Sequence, residues 1–263
     1  MSVLREYKEH EFFSNLRIPP TIPFVIRCDG RNFHRLCTEL RLERPYDERL
    51  IKVLVRAGME IYEAGFNPLL IYVFSDELNI VFTSDTSFSR RYEKLVSILP
   101  SIVSARTSVE LSKLFGRDVI AAFDARVVLL SDFNDIVNYL IWRQSDCWRN
   151  FLNSYAQTIL LKRGFTPREI SKELSGKGSE YLLNLICSEF GSVDAIPTWQ
   201  RRGVLIFKKK VTKISRNPLT GTEVEVTRRV TYVEWNVPLF SSTEGRRLVE
   251  QIYAEYCNGR ERS

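Results

Sequence analysis

Across the first 130 residues, apolar runs and helix-spaced stretches alternate in an order that restricts the fold more than any other feature of this 263-residue chain. Ile22-Pro23-Phe24-Val25-Ile26-Arg27-Cys28-Asp29 reads as a short buried strand that ends on an acid, with Gly30 as the turn after it. Pro45 to Glu63 carries Leu50, Val53, Leu54, Ala57 and Ile61 at helical spacing, with Asp47 and Glu48 in its first turn and Gly65 beyond its end. Leu69–Phe74 and Asn79–Phe82 read as two strands around a Ser75-Asp76-Glu77 turn. Ser89–Phe115 predicts a long amphipathic helix kinked at Pro100, and Val119–Leu130 a strand interrupted at Asp124. The order β-α-β-β-α-β is the split, ferredoxin-like unit, a palm in which a central antiparallel sheet carries helices on one face. The fold class is therefore α+β (α/β). Polymerase palms, nucleotide cyclases and plain RNA-binding modules all use it, so topology does not select a function.

The second half predicts a helix over Asn134–Arg163, a short one opened by Thr166-Pro167, another over Tyr181–Cys187, and a last one over Thr243–Tyr256. Between them, Gly203–Ile214 and Glu223–Trp235 read as strands of a hairpin, because Asn217-Pro218-Leu219-Thr220-Gly221 has turn chemistry: proline presets φ and glycine supplies φ > 0. We divide the chain into a palm-like catalytic core at 1–130 and a helical and β-hairpin RNA-binding part at 131–263, packed on the core. Lys208, Lys209, Lys210, Lys213, Arg216, Arg228 and Arg229 concentrate positive charge on the hairpin of a chain whose net charge is +6. Such a cluster is either a solvated face or an electrostatic footprint for a phosphate backbone.

Composition excludes several classes. No apolar stretch approaches the ~18 residues of a membrane span, and the polar Met1–Phe13 segment is no signal peptide, so a soluble, cytoplasmic protein is expected. The five cysteines are an odd number without a CxxC pair and read as reduced thiols. With only His10 and His34 available, a metal would rest mainly on carboxylate oxygens, which favours Mg²⁺ or Mn²⁺.

Two acids stand at corresponding places: Asp29 at the end of the first strand and Asp76 at the turn between the second and third. In this topology the first and third strands are neighbours, so the two carboxylates converge. Like charges that close are costly unless a divalent cation neutralises them. Phosphoryl and nucleotidyl transfer uses that arrangement, with two Mg²⁺ ions on the attacking and leaving oxygens. The plain alternative is a pair of ordinary turn acids. Gly30-Arg31-Asn32-Phe33-His34 follows Asp29, and its backbone N–H groups can cradle a triphosphate at a helix entrance.

Taken in order, Arg27-Cys28-Asp29-Gly30-Arg31-Asn32-Phe33-His34, Phe74-Ser75-Asp76-Glu77, Arg90-Arg91 with Lys94, Phe123-Asp124-Ala125-Arg126, and Trp142-Arg143-Gln144-Ser145-Asp146-Cys147 resemble the tRNA-His guanylyltransferase superfamily of 3′–5′ nucleotide polymerases, including its archaeal and bacterial tRNA-repair-like branch. The resemblance spans roughly residues 20 to 207. It implies that a tRNA 5′-monophosphate is activated with ATP or GTP, pyrophosphate departing, and that the 3′-OH of an incoming NTP then attacks the activated phosphate. It implies Asp29 and Asp76 as metal ligands with the Gly30 carbonyl, and two Mg²⁺ ions. The 30–34 backbone and Ser75 would hold the triphosphate. Lys94 and His34 match positions linked to activation, and Arg126, Arg27 and Asn150 would bind phosphates. A homo-oligomer, dimer or tetramer, is implied as well.

Two departures stand out. Arg44 occupies a position where the family often has Lys; the charge is kept, but the fork geometry differs. After Asp146-Cys147 the eukaryotic enzymes show a His-Ile-Asn-Asn-like run, where this chain has Trp148-Arg149-Asn150-Phe151. The expected activity is template-dependent repair of tRNA 5′ ends, with G addition to tRNA-His as a further possibility. The rival readings are a nucleotide or dinucleotide cyclase on the same palm and a catalytically silent RNA-binding module.

Overall fold

The computed structural model describes residues 7, 10–83, 87–216 and 222–258. Its centre is one six-stranded antiparallel sheet in the order β4-β1-β3-β2-β5-β6. The strands are β1 (Phe24–Gly30), β2 (Leu70–Phe74), β3 (Glu77–Phe82), β4 (Phe123–Leu129), β5 (Val204–Arg216) and β6 (Glu223–Glu234). The helices are α1 (Phe33–Glu39), α2 (Glu48–Glu63), α3 (Tyr92–Phe115), α4 (Phe133–Lys162), α5 (Pro167–Leu174), α6 (Ser179–Phe190), α7 (Thr198–Arg202) and α8 (Thr243–Asn258). Among the described residues, no helix is long and apolar enough to cross a membrane.

The helices of the palm, α2 and α3, cover one face of the sheet as expected, and α4 and α8 of the second half cover the other. Successive strand residues point to opposite faces, and here both sets are apolar, with β2 and β3 buried along their whole length. Phe24, Ile26, Cys28, Ile71, Leu78 and Ile80 pack under Leu54 and Ile61 of α2 and Leu95, Leu99 and Val103 of α3. Val25, Leu70, Tyr72, Val81 and Phe207 pack under Ile136 and Leu140 of α4 and Val249 and Ile252 of α8. The boundary drawn at 130/131 falls just before α4. It does not divide the sheet, because β5 from the second half pairs with β2, Leu70 opposite Phe207 and Val73 opposite Val204.

Two local readings change. The α3 helix starts at Tyr92 instead of Ser89, since Phe88, Ser89 and Arg90 have positive φ. Pro100 lies inside α3, which runs on to Phe115. The strand expected from Val119 begins at Phe123, because its lead-in bonds to a helix. The amides of Val119, Ala121 and Phe123 donate to the hydroxyls of Ser112, Ser108 and Ser104 at 2.9, 2.9 and 3.1 Å. A serine row at four-residue spacing on α3 thus fixes the segment that receives the chain after Gly30: the Arg31 amide donates to the Ala122 carbonyl at 2.8 Å. The Asn217–Gly221 turn lies outside the described residues.

Candidate active site

The adjacency of the two acids follows from register. Asp29 stands opposite Glu77 on β3 and opposite Asp124 on β4. The β2–β3 connection is a two-residue turn, Ser75-Asp76, with Phe74 paired to Glu77 and Ser75 at φ 50°. The Gly30 amide donates to the Asp76 carbonyl at 3.1 Å, so the end of β1 and the hairpin turn are stitched together. A Cβ on Gly30 would stand 2.4 Å from Cδ2 of Phe33 and 2.9 Å from Cβ of Asp76, so only glycine fits this approach. Burial pushes the Asp76 carboxyl above the ordinary carboxylate range, and the charge of Asp29 adds to it, while Ser75 Oγ, 3.0 Å from Oδ1, works the other way. Arg126 stands 3.8 Å from both Asp29 and Asp124.

Two cavities meet at Ser75 and Asp76. One, of about 320 Å³, is lined on its apolar side by Phe33, Leu50, Ile51, Tyr46 and Trp199 and carries His34 and Arg44. The other, of about 400 Å³, is polar, with Asp29, Glu77, Arg143, Asp146, Arg149 and Asn150 in its walls. Among the described residues, no group of three or more His, Cys, Asp or Glu is arranged to hold a metal ion. The donor set that the resemblance implies, Asp29, Asp76 and the Gly30 carbonyl, comes together at the β1 end and the hairpin turn. That set suits Mg²⁺, which keeps several waters and takes one or two carboxylates plus substrate phosphates.

The sequence model of the tRNAHis guanylyltransferase family matches residues 4–131, and that of the Thg1 C-terminal domain matches residues 134–237. A probable tRNA(His) guanylyltransferase of Drosophila melanogaster is 31% identical over 199 residues, spanning 74% of this chain and 70% of that protein. The chain belongs to the tRNA(His) guanylyltransferase family. A relative from Dictyostelium discoideum, also named a probable tRNA(His) guanylyltransferase, is 30% identical over 198 residues, or 73% of this chain and 77% of that protein. The fold agrees. A bacterial tRNA(His) guanylyltransferase-like protein in complex with ATP superposes with a TM-score of 0.75 at 22% identity, covering 95% of this chain and 98% of that one. The Saccharomyces cerevisiae tRNA(His) guanylyltransferase gives 0.67 at 26% identity over 76% and 90%.

Within this guanylyltransferase-family fold, the residues expected at the site separate into three groups. Asp29, Gly30, Ser75, Asp76, His34, Arg44, Asn150 and Arg126 gather around the two cavities or on the acids themselves. The backbone cradle expected from residues 30–34 narrows, because the Gly30 and Arg31 amides are committed to Asp76 and Ala122. What remains begins at Asn32, whose left-handed φ of 58° starts α1. Arg31 and Asn32 are exposed, and the Phe33 ring is buried on Phe123 with centroids 5.0 Å apart.

The third group lies elsewhere. The resemblance links Lys94 to the activation step, but it sits in the first turn of α3. There the Tyr92 amide donates to Leu16, and the neighbouring Arg90 bonds the carbonyls of Ile18, Ile22 and Thr83. Those groups flank Phe24 and Phe82, the end of the sheet opposite Asp29, about 17 Å away along β1 at ~3.3 Å per residue. Lys208, Lys209 and Lys210 extend past β2 at that same far end, still paired with β6, because β5 runs from Val204 beside the site to Phe207 and onward. Lys208 lies over the Tyr62 ring at 5.4 Å, Lys209 over Tyr232 at 5.0 Å, and the Lys210 amide donates to Glu255 at 3.2 Å. The Arg216 side chain lies outside what the structure describes.

Several site residues escape a reading of the sequence. Asp124 reads there as a break in a strand, when it is the cross-strand neighbour of Asp29. Tyr46, Trp199 and Gln200 line the apolar cavity from two distant segments, and no spacing rule links them. Arg143 and Asp146 fall inside the Trp142–Cys147 motif, which gives neither of them a role.

Proposed function

We propose that the protein, a tRNA nucleotidyltransferase, adds nucleotides in the 3′–5′ direction to tRNA 5′ ends, copies the opposite strand, and thereby repairs truncated ends. The observation that carries this reading is the meeting of the two cavities at Ser75-Asp76. A nucleoside fits the apolar chamber, where Tyr46 and Trp199 supply ring surface, and its phosphates then point to the acid-lined groove. Arg44 and His34 meet them on one side, Asn150 on the other, with Arg126 at the rim beside Asp29. Two Mg²⁺ ions are the fitting cofactors, held by Asp29, Asp76 and the Gly30 carbonyl. When bound, they supply charge for the attacking and leaving oxygens.

The basic ribbon of β5 and β6 is the natural support for the body of the RNA, which must then run the length of the sheet from the acid pair. The far location of Lys94 supports a homo-oligomer in which a second copy brings this lysine to the acids. Such an enzyme meets its substrate in the cytoplasm. The test is labelled, 5′-truncated tRNA incubated with NTPs and Mg²⁺, with 5′ growth read on a gel. Asp29→Ala and Asp76→Ala should each lose at least ~10²-fold in rate, the usual scale for removing a charge-stabilising group, with the circular dichroism spectrum retained. Near wild-type turnover in either variant overturns the assignment.

A further inference from the structure

The Arg143 side chain is 6% exposed, and all three guanidinium nitrogens are engaged. Nε and Nη2 donate to the two oxygens of Glu77, each at 2.9 Å, and Nη1 donates to Asp146. The Phe74 ring centroid lies 5.4 Å from the guanidinium carbon and that of Trp142 4.4 Å, so two aromatic rings pack against the fork. Glu77 follows Asp76 in the chain and stands opposite Asp29 on the ladder. It is a third carboxylate beside the acid pair, itself buried, with Asn79 Nδ2 donating to it at 2.8 Å and Arg27 Nε 3.9 Å away. Like charges facing each other across a ladder repel, and a loose carboxylate there would compete for any cation held by its neighbours.

We propose that Arg143 is the positioning residue of the acid turn: by occupying both oxygens of Glu77 it reserves cation coordination for Asp29 and Asp76. The same fork clamps α4, with Asp146, Arg149 and Asn150, onto the β2–β3 hairpin, so that the polar groove keeps its width. Lysine cannot reproduce this, because an ammonium offers no planar pair of donors. The clasp rests on the reading of Asp29 and Asp76 as cation ligands, and the experiment separates the two.

Mn²⁺ binding is measured by electron paramagnetic resonance on the full-length chain and on R143Q, R143K, the E77Q/R143Q pair and D29A, alongside nucleotide addition. In R143Q, Glu77 joins the donors. Mn²⁺ should bind at least about fivefold tighter, since affinity follows ligand charge. Turnover should fall by ~10²-fold, the scale of a misplaced reacting group. In the E77Q/R143Q pair the surplus carboxylate and its partner are both neutral, so Mn²⁺ affinity should return to within about twofold of wild type with most of the turnover. R143K should fall between. Unchanged Mn²⁺ affinity in R143Q, or a double variant no better than R143Q, overturns the clasp. Should R143Q fail to fold, wild-type Mn²⁺ affinity in R143K overturns it equally. D29A must lose Mn²⁺; if it binds as wild type does, the acid-pair reading falls instead.

Discussion

The amide of Gly30 donates to the carbonyl of Asp76 at 3.1 Å, joining the last residue of β1 to the hairpin turn. One backbone bond thus sets the spacing of two acids that are 47 positions apart in the sequence (76 − 29). It forms only because nothing projects from Gly30, where a Cβ would stand 2.4 Å from Phe33. Gly30→Ala should lower stability by about 1–3 kcal/mol through overpacking and turnover by ~10²-fold through displacement of the acids. Urea unfolding and single-turnover nucleotide addition check both; wild-type values in either would mean that the turn relaxes freely.

Asp47 caps α2 beside the apolar chamber, accepting from the amides of Arg49 and Glu43 at 2.8 and 2.9 Å. The Arg49 side chain, hydrogen-bonded to it, holds its carboxyl down at about 2, with the two amides helping against burial. A depressed folded-state value stabilises the fold above the unfolded value near 4, and this is lost as pH falls toward 2. Asparagine caps a helix as well as aspartate does, so what Asp47→Asn removes is the carboxylate charge paired with the half-exposed Arg49. It should cost about 1–2 kcal/mol at pH 7 after solvent screening, with the gap to wild type closing between about pH 4 and pH 2. A gap that stays constant across that range would show that the carboxylate charge contributes nothing.

The adjacency of β1 and β3 and the convergence of Asp29 and Asp76 were legible because both depend on short-range signals, apolar runs and a tight turn; the place of β5 beside β2 in the same sheet was not. Nor were other relationships. The Arg143–Glu77 fork joins residues 66 positions apart, and neither residue type announces its partner. The serines at 104, 108 and 112 read as ordinary polar positions of an amphipathic helix, when they hydrogen-bond the amides leading into β4. The distance of Lys94 from the acids of its own chain was hidden for a related reason. Its spacing from Arg90 and Arg91 is visible, but which end of the sheet α3 starts from depends on the bonds of Arg90 to Ile18, Ile22 and Thr83.

That location of Lys94 gives a direct test of sharing between copies. Asp29→Ala and Lys94→Ala chains, each inactive alone, are unfolded, mixed in equal amounts and refolded together. In a dimer, half of the assemblies are mixed and one of their two sites has both groups, so about a quarter of wild-type activity should return. Absence of recovery would mean that Lys94 does not serve a neighbour's acids.

The ribbon makes a separable prediction because it extends past β2 at the end away from Asp29. Lys208 is half-buried on Tyr62, and burial, with the charge of Arg229, lowers its pKa; Lys209 and Lys210 are exposed. Replacing Lys209 and Lys210 with alanine should weaken tRNA binding and make it less salt-dependent, the slope falling by roughly 0.7–0.9 for each phosphate that is no longer neutralised. NTP affinity should stay within about twofold, since neither residue lines the two cavities. An unchanged salt slope would make the ribbon a solvated face.

Choice among tRNAs turns on the segment after Cys147. Trp148, a candidate for stacking on an unpaired base, is half-buried against Phe151 with ring centroids 5.2 Å apart. Arg149, the candidate for gripping phosphate, is paired with Asp146, and Asn150 faces the polar groove. Trp148 and Arg149 are thus engaged within the protein, whereas sequence-specific RNA recognition depends on contacts to splayed bases. Discrimination then falls to the acceptor end, where the opposite strand pairs with the incoming nucleotide. The kcat/KM for a truncated non-histidine tRNA should match, within about twofold, that for the same tRNA given a histidine anticodon, because no buried hydrogen-bond partner is left empty by the change. The added nucleotide should follow the templating base. Strong dependence on the anticodon, or guanosine added whatever the template, would show that identity is read by groups other than Trp148 and Arg149 and would overturn the repair assignment.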